Sequence, residues 1–336
     1  MAQNPPEIVV APLAGPASPV EEGVGVPTKA VAEVARWSFQ MVNRLGLPLV
    51  VDGDSVYATD AEGTLHALDA TTGSERWRFE KRSGPFASLD VRAELVLYVT
   101  ASMLHVLQPK DGRKLWQYTG GDGVFWATAD ARRVYAVRKE GFLVVLDRAS
   151  GQVLWEFEAR GPIHSRLVVD GETVWFGAGA GYVQAVDLVT QKEQWRHRVH
   201  PDKEIWLDDL ADGVVYGWTI EPLGVAGEVF ALAASTGDPV SVDGGADLGV
   251  GSWRGSERML HAFSADGQYA WFERADEVLL TDLEENLLVR LGVPGLSTPS
   301  PAVAKDMMYL GTHDGVLWAV PMEAVRSFVA AAASSR

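Results

Sequence analysis

The sequence contains no cysteine. Disulfides, Cys-ligated zinc, iron–sulfur clusters and thiol nucleophiles are therefore excluded. The redox compartment stays open, because a cysteine-free chain suits either side of a membrane. Positive charge is scarce. Lys and Arg number 29 against 45 Asp and Glu, a net charge of −16 over 336 residues. A nucleic-acid binder needs a basic face to displace counterions from phosphates, so no nucleic-acid partner is expected. No run reaches the ~20 apolar residues of a membrane span. Met1 to Pro19 lack a basic stretch followed by an unbroken apolar one, so they do not read as a signal peptide. As written, the chain reads as cytoplasmic. The periplasm or cell envelope is the alternative if a leader has been removed.

Apolar residues are plentiful, at 47%, and there are 34 glycines and 12 tryptophans. Length alone suggests about two domains. Internal repetition overrules that reading. The segments Gly63 to Trp77, Ser102 to Trp116, Gly141 to Trp155 and Gly181 to Trp195 are copies of one pattern, with their tryptophans 39, 39 and 40 residues apart. Weaker copies start at Gly227, Asp276 and Gly315, and Trp37 lies 40 residues before Trp77. Each copy alternates apolar and polar residues as strands do, and is punctuated by turns such as Asp52-Gly53, Thr72-Gly73 and Asp111-Gly112. A repeat of about 40 residues with four short strands has the size of a propeller blade.

Seven copies predict an all-β, seven-bladed β-propeller of four-stranded blades. The last copy lacks a Trp strand, and the strand around Trp37 lacks the three before it. The N-terminal strand is therefore expected to complete the last blade, which removes an exposed sheet edge. The expected layout is a Pro-rich flexible tail over 1–30, one propeller domain over 31–322, and an Ala-rich C-terminal tail over 323–336.

The run Ala67-Leu68-Asp69-Ala70-Thr71-Thr72-Gly73-Ser74-Glu75-Arg76-Trp77 resembles the pyrroloquinoline-quinone (PQQ)-like propeller repeat. Asp147 to Trp155 and Asp187 to Trp195 are close further matches, and Gln108 replaces the Asp in the second copy. The resemblance spans about residues 36 to 321. It implies that Trp37, Trp77, Trp116, Trp155 and Trp195 dock one blade on the next. It also implies one of two branches: quinoprotein dehydrogenases holding PQQ and calcium, or non-catalytic propellers of the BamB-like type. The missing cysteines and the count of seven favour the non-catalytic branch.

The residues offer several candidate sites. The repeated Asp69, Asp147, Asp187 and Asp282 match the turn period, and are expected to bond local backbone. The stretch from His197 to Glu204, with Asp208 and Asp209, holds nitrogen and oxygen donors, but its spacing fits no familiar metal motif. It reads as a solvated loop, and no metal or cofactor is expected. Aligning the copies places Phe125, Trp126, His164, Arg166, Trp206, Asp208 and His261 near one mouth of the central channel. Trp253 and Arg254 sit in a Gly-rich insertion, of the residue types enriched in binding hot spots. Together with the mouth residues they form the candidate interaction surface. The expected function is a non-catalytic scaffold for protein partners within a larger assembly. Its acidity favours basic ones. A BamB-like envelope factor is the first alternative, and a PQQ-dependent oxidoreductase the second.

Overall fold

The computed structural model describes residues 28–46, 49–80, 86–100, 103–121, 123–179, 181–220, 226–240, 259–263, 269–274, 276–282, 287–296, 302–304 and 306–327. Among them the strands form seven sheets, which we number in chain order. Sheet 1 comprises Val50–Asp52, Ser55–Thr59, Thr64–Asp69 and Glu75–Glu80. Sheet 2 comprises Phe86–Arg92, Leu95–Thr100, Met103–Leu107 and Lys114–Thr119. Sheet 3 comprises Val124–Ala129, Arg133–Arg138, Phe142–Asp147 and Val153–Glu158, and sheet 4 Val168–Asp170, Thr173–Ala178, Tyr182–Asp187 and Lys192–Arg198. In each, strands neighbour one another in sequence order. This is the antiparallel meander of a propeller blade, and the chain is an all-β repeat protein.

The remaining sheets vary the plan. Sheet 5 has three described strands, Glu204–Ala211, Val214–Ile220 and Ala226–Ala233, and a single bridge from Leu232 to Pro239 stands where a fourth begins. Pro239 has no N–H to extend a ladder there. Sheet 6 comprises Met259–Phe263, Tyr269–Arg274, Glu277–Asp282 and Leu287–Gly292, and gains a fifth, parallel strand, Thr28–Ala30, on Leu287–Gly292. Sheet 7 comprises Ala302–Ala304, Met307–Gly311 and Val316–Pro321. Its last strand is the N-terminal Trp37–Gln40, paired antiparallel with Trp37 opposite Ala319. Met322 and Val325, in the helical turn that follows, are buried in the core of sheets 6 and 7.

The chain divides into two compact units. One is built on Arg92–Leu107 and Lys114–Asp247, the other on Gln108–Arg113 with the described parts of 16–91 and 248–336. In sheets 1 to 4 the middle strands are buried on both faces and the last strands are largely exposed on one, as in Val56 to Ala58 against Glu75–Glu80. Burial on both faces is why the middle strands read as near-continuous apolar runs.

One contact recurs between successive copies. Trp77 lies 5.9 Å from the buried Tyr57 of its own sheet, and its indole N–H donates to Pro109 O at 2.7 Å. Its ring covers Gly112, where an added Cβ would stand 2.4 Å from the indole. Trp37 repeats this on Gly73 and Ala70 O, Trp116 on Gly151 and Arg148 O, and Trp195 on Gly237 and Ala234 O. The turn glycines have φ near +70°, so each is required twice, by backbone and by ring. Trp155 departs from the pattern. The matching turn residue is Gln191 at φ 59°, and the Trp155 indole N–H makes no hydrogen bond among the described residues. Gln191→Gly is accordingly expected to stabilise the protein by about 1 kcal/mol, by relieving a left-handed side-chain residue. A raised denaturation midpoint checks this.

The repeated aspartates hold the same turns. Asp69 accepts the N–H groups of Thr71 and Thr72, Asp147 the N–H and the hydroxyl of Ser150, and Asp187 the N–H groups of Val189 and Thr190. Arg76 also clamps Asp69 at 2.6 Å and Asp54 at 2.9 Å. The Arg76 hydrogen bond, then the turn amides, drive the Asp69 carboxyl far below the usual range. The Thr190 amide, with Gln194, brings Asp187 down to about 2. Both groups hold a proton more weakly folded than unfolded. Their stabilisation is complete above the unfolded value of 3.8 and is lost as pH falls towards 2. The thermal midpoint should fall through that window, and Asp187→Asn should flatten the fall.

Candidate functional site

The first strands of sheets 3 and 5 and the segment leading into sheet 4 bring aromatic and charged side chains together. Phe125 and Trp126 open the strand Val124–Ala129, and both are half-buried. His164 lies just after Ile163, which is anchored by a bridge to Ala178. Glu204 and Trp206 start the strand Glu204–Ala211. Being two residues apart, they share a face.

The Phe125 ring meets the His164 imidazole edge-on at 6.4 Å. His164 Nδ1 lies 2.8 Å from Glu204 Oε1, with both side chains about half exposed, at 48% and 53%. Trp126 meets Trp206 at 5.9 Å and 84°, edge to face, and Trp206 stacks on Trp218 at 6.3 Å and 22°. Trp206 and Trp218 are direct partners in the ladder. Such aromatic pairs contribute about 0.5–1.5 kcal/mol each beyond the area they bury. An ion pair as exposed as His164–Glu204 contributes at most about 1 kcal/mol. The cluster is thus rigid through its rings and accessible through its rim.

The structure therefore brings together Phe125, Trp126, His164 and Trp206. It adds Glu204 as the partner of His164 and Trp218 as the second stacked ring. Arg166 sits elsewhere. It lines a cleft of about 390 Å³ with Arg92, Asp170, Trp175 and Asp212. Asp208 and His261 lie on strands whose side chains are outside the described residues, as do Trp253 and Arg254 altogether.

The donor-rich loop is engaged locally. His200 Nδ1 accepts the N–H groups of Asp202 and Lys203, each at 3.1 Å. Burial pushes the His197 imidazole below its usual range, and its Nε2 has no partner. Among the described residues no three His, Asp or Glu side chains gather as a metal site would need. The chemistry on offer is recognition. Aromatic faces attract apolar groups and cations, and the Glu204 carboxylate adds a point for a basic residue.

Blade-type sheets linked by Trp-on-Gly contacts, with an open aromatic surface at their first strands, define a PQQ-like repeat protein of the β-propeller type. A family model described as outer membrane protein assembly factor BamB matches residues 32–240. The chain belongs to that family. It is 28% identical to the BamB of Yersinia pestis over 199 residues, covering 54% of this chain and 50% of that protein. It is also 28% identical to the serine/threonine-protein kinase AfsK of Streptomyces coelicolor over 170 residues, covering 48% and 20%. The chain thus spans half or less of these relatives' length. The crystal structure of BamB from Moraxella catarrhalis superposes with a TM-score of 0.52 at 20% identity, covering 85% of this chain and 88% of that one, a likeness of fold. No helix of the described residues is long and apolar enough to cross a membrane.

Proposed function

We propose that this chain is a non-catalytic, seven-bladed β-propeller that serves as an assembly factor for outer-membrane proteins in the bacterial envelope. The seven sheets are its blades, and the pairing of Trp37–Gln40 with Val316–Pro321 closes the ring. The observation that carries the reading is the family match over residues 32–240. The aromatic cluster supplies the means. First strands line the channel of a propeller, so Phe125, Trp126, Glu204 and Trp206 stand at one mouth, with His164 and Trp218 packed against them. A partner segment with apolar and basic residues fits that surface, and the net charge of −16 steers it there. The repeat tryptophans act as blade-docking residues and take no direct part in binding.

Deleting the gene in its source bacterium and quantifying outer-membrane proteins tests the proposal. Their abundance is expected to fall, and to recover with the wild-type gene but not with one carrying Trp206→Ala. Unchanged abundance in the deletion strain would overturn the assembly reading.

A further inference from the structure

Each described last strand of sheets 1 to 4 carries a β-bulge at the residue before its tryptophan. A bulge re-aims the side chain it carries. In sheet 1 that residue is Arg76, which reaches back to Asp69, and in sheet 4 it is Gln194, which reaches Asp187 at 3.1 Å. In sheet 3 it is Leu154, 52% exposed, next to Val153, 45% exposed. Asp147 there bonds Ser150 and receives no such clamp. In sheet 2 the same position is Leu115, 39% exposed. Trp116 rests on Gly151, so the start of that strand lies beside the turn leading into Val153.

The strands differ in protection too. An open sheet edge is kept from pairing by basic side chains above all. The last strands of sheets 1, 2 and 4 carry Arg76 and Arg78, Lys114, and Lys192, Arg196 and Arg198. Val153–Glu158 carries none, and of its exposed charges Glu156 is paired with Arg138 at 3.2 Å while Glu158 stands at the strand's end. Sheet 6 shows what such an edge accepts. There Thr28–Ala30 adds to the last strand in parallel, with Lys29 opposite Leu291.

From this juxtaposition we infer that Val153–Glu158 is a second docking site, which pairs with an extended basic and apolar segment of a partner protein. The added strand hydrogen-bonds the free edge. Its apolar residues cover Val153, Leu154 and Leu115, and its Lys or Arg residues face Glu158. This site lies on a last strand, apart from the aromatic cluster, so either can fail without the other.

The test uses the full chain and a fluorescein-labelled ten-residue peptide alternating Val and Lys, with a Val and Glu peptide as control. The Lys peptide should bind, slow amide exchange across 153–158, and leave 192–198 unchanged. The Glu peptide should not bind. Leu154→Arg supplies the clamp of sheet 1, with Asp147 in place to receive it. This variant should keep or raise the denaturation midpoint while weakening the Lys peptide by at least about tenfold. Trp206→Ala should leave peptide affinity unchanged. Equal affinity for Leu154→Arg, or no protection of 153–158, overturns the inference. So does protection that rises with protein concentration alone, which would make a second copy of this chain the occupant.

Discussion

Trp116→Ala should cost about 3–5 kcal/mol of stability, the range for removing a large buried aromatic side chain. The ring is only 9% exposed, and its N–H satisfies Arg148 O at 2.9 Å. Truncation leaves that carbonyl without its donor and uncovers the turn at Gly151. The gap cannot close by collapse, because the bonds of Asp147 to Ser150 and of Gly151 N–H to Asp147 O hold the turn in shape. Trp155→Ala is the internal control. The turn that matches it in the repeat has Gln191 where the others have glycine, and Trp155 is less buried than Trp116. Its loss should cost about 1–2 kcal/mol less than that of Trp116. Denaturant unfolding followed by far-ultraviolet circular dichroism gives both values. Equal losses would mean that the glycine seat contributes nothing, and that the tryptophans act by bulk alone.

Under the proposed function, Trp206→Ala should weaken binding of the partner protein by about 30-fold or more, corresponding to a hot-spot loss of at least about 2 kcal/mol. Trp206 is the ring that joins the cluster, edge-on to Trp126 and stacked on Trp218. Removing it takes away one contact surface and frees two others. The fold should survive, because the side chain is only half-buried and its neighbours Ile205 and Leu207 keep the core. Glu204→Gln should act differently. A rim charge governs encounter more than residence. The association rate should fall and lose salt dependence, with the dissociation rate little changed. Identical effects from the two substitutions would argue against an aromatic anchor with an acidic rim.

The repeat made much of this legible beforehand. Blade boundaries follow from Trp spacing. The pairing of Trp37–Gln40 with the last described strand follows from a copy count that leaves one strand over at the N-terminal end and the last copy one strand short. Phe125, Trp126, His164 and Trp206 follow from aligning copies, because equivalent positions of a repeat fall at equivalent depths.

Trp218 was hidden for a physical reason. Near the Asp212-Gly213 turn, partners such as Leu210 and Val215 lie symmetrically about it. A bulge between Leu207 and Asp209 then slips the register by one, which sets Trp206 opposite Trp218. Without the bulge Trp206 would face Thr219. A one-residue slip moves side chains to new partners, and no composition or spacing announces it. Arg166 failed the other way. It lies two residues from His164 but lines a different cleft, because the bend at Ser165 breaks the extended alternation that would put residues two apart on one face. The edge of sheet 3 is visible in the sequence only by comparison, as Leu154 where Arg76 and Gln194 stand.

Site-specific photo-cross-linking in the source bacterium is the most direct test of the central claim. A photoreactive phenylalanine is placed at position 206, and at Arg78 on the exposed face of sheet 1 as a control. The account predicts one stoichiometric envelope partner captured at 206, absent at 78, and lost when Trp126→Ala is added. Capture of that partner at 78 with none at 206 would contradict it, since the aromatic cluster would then not be the docking surface.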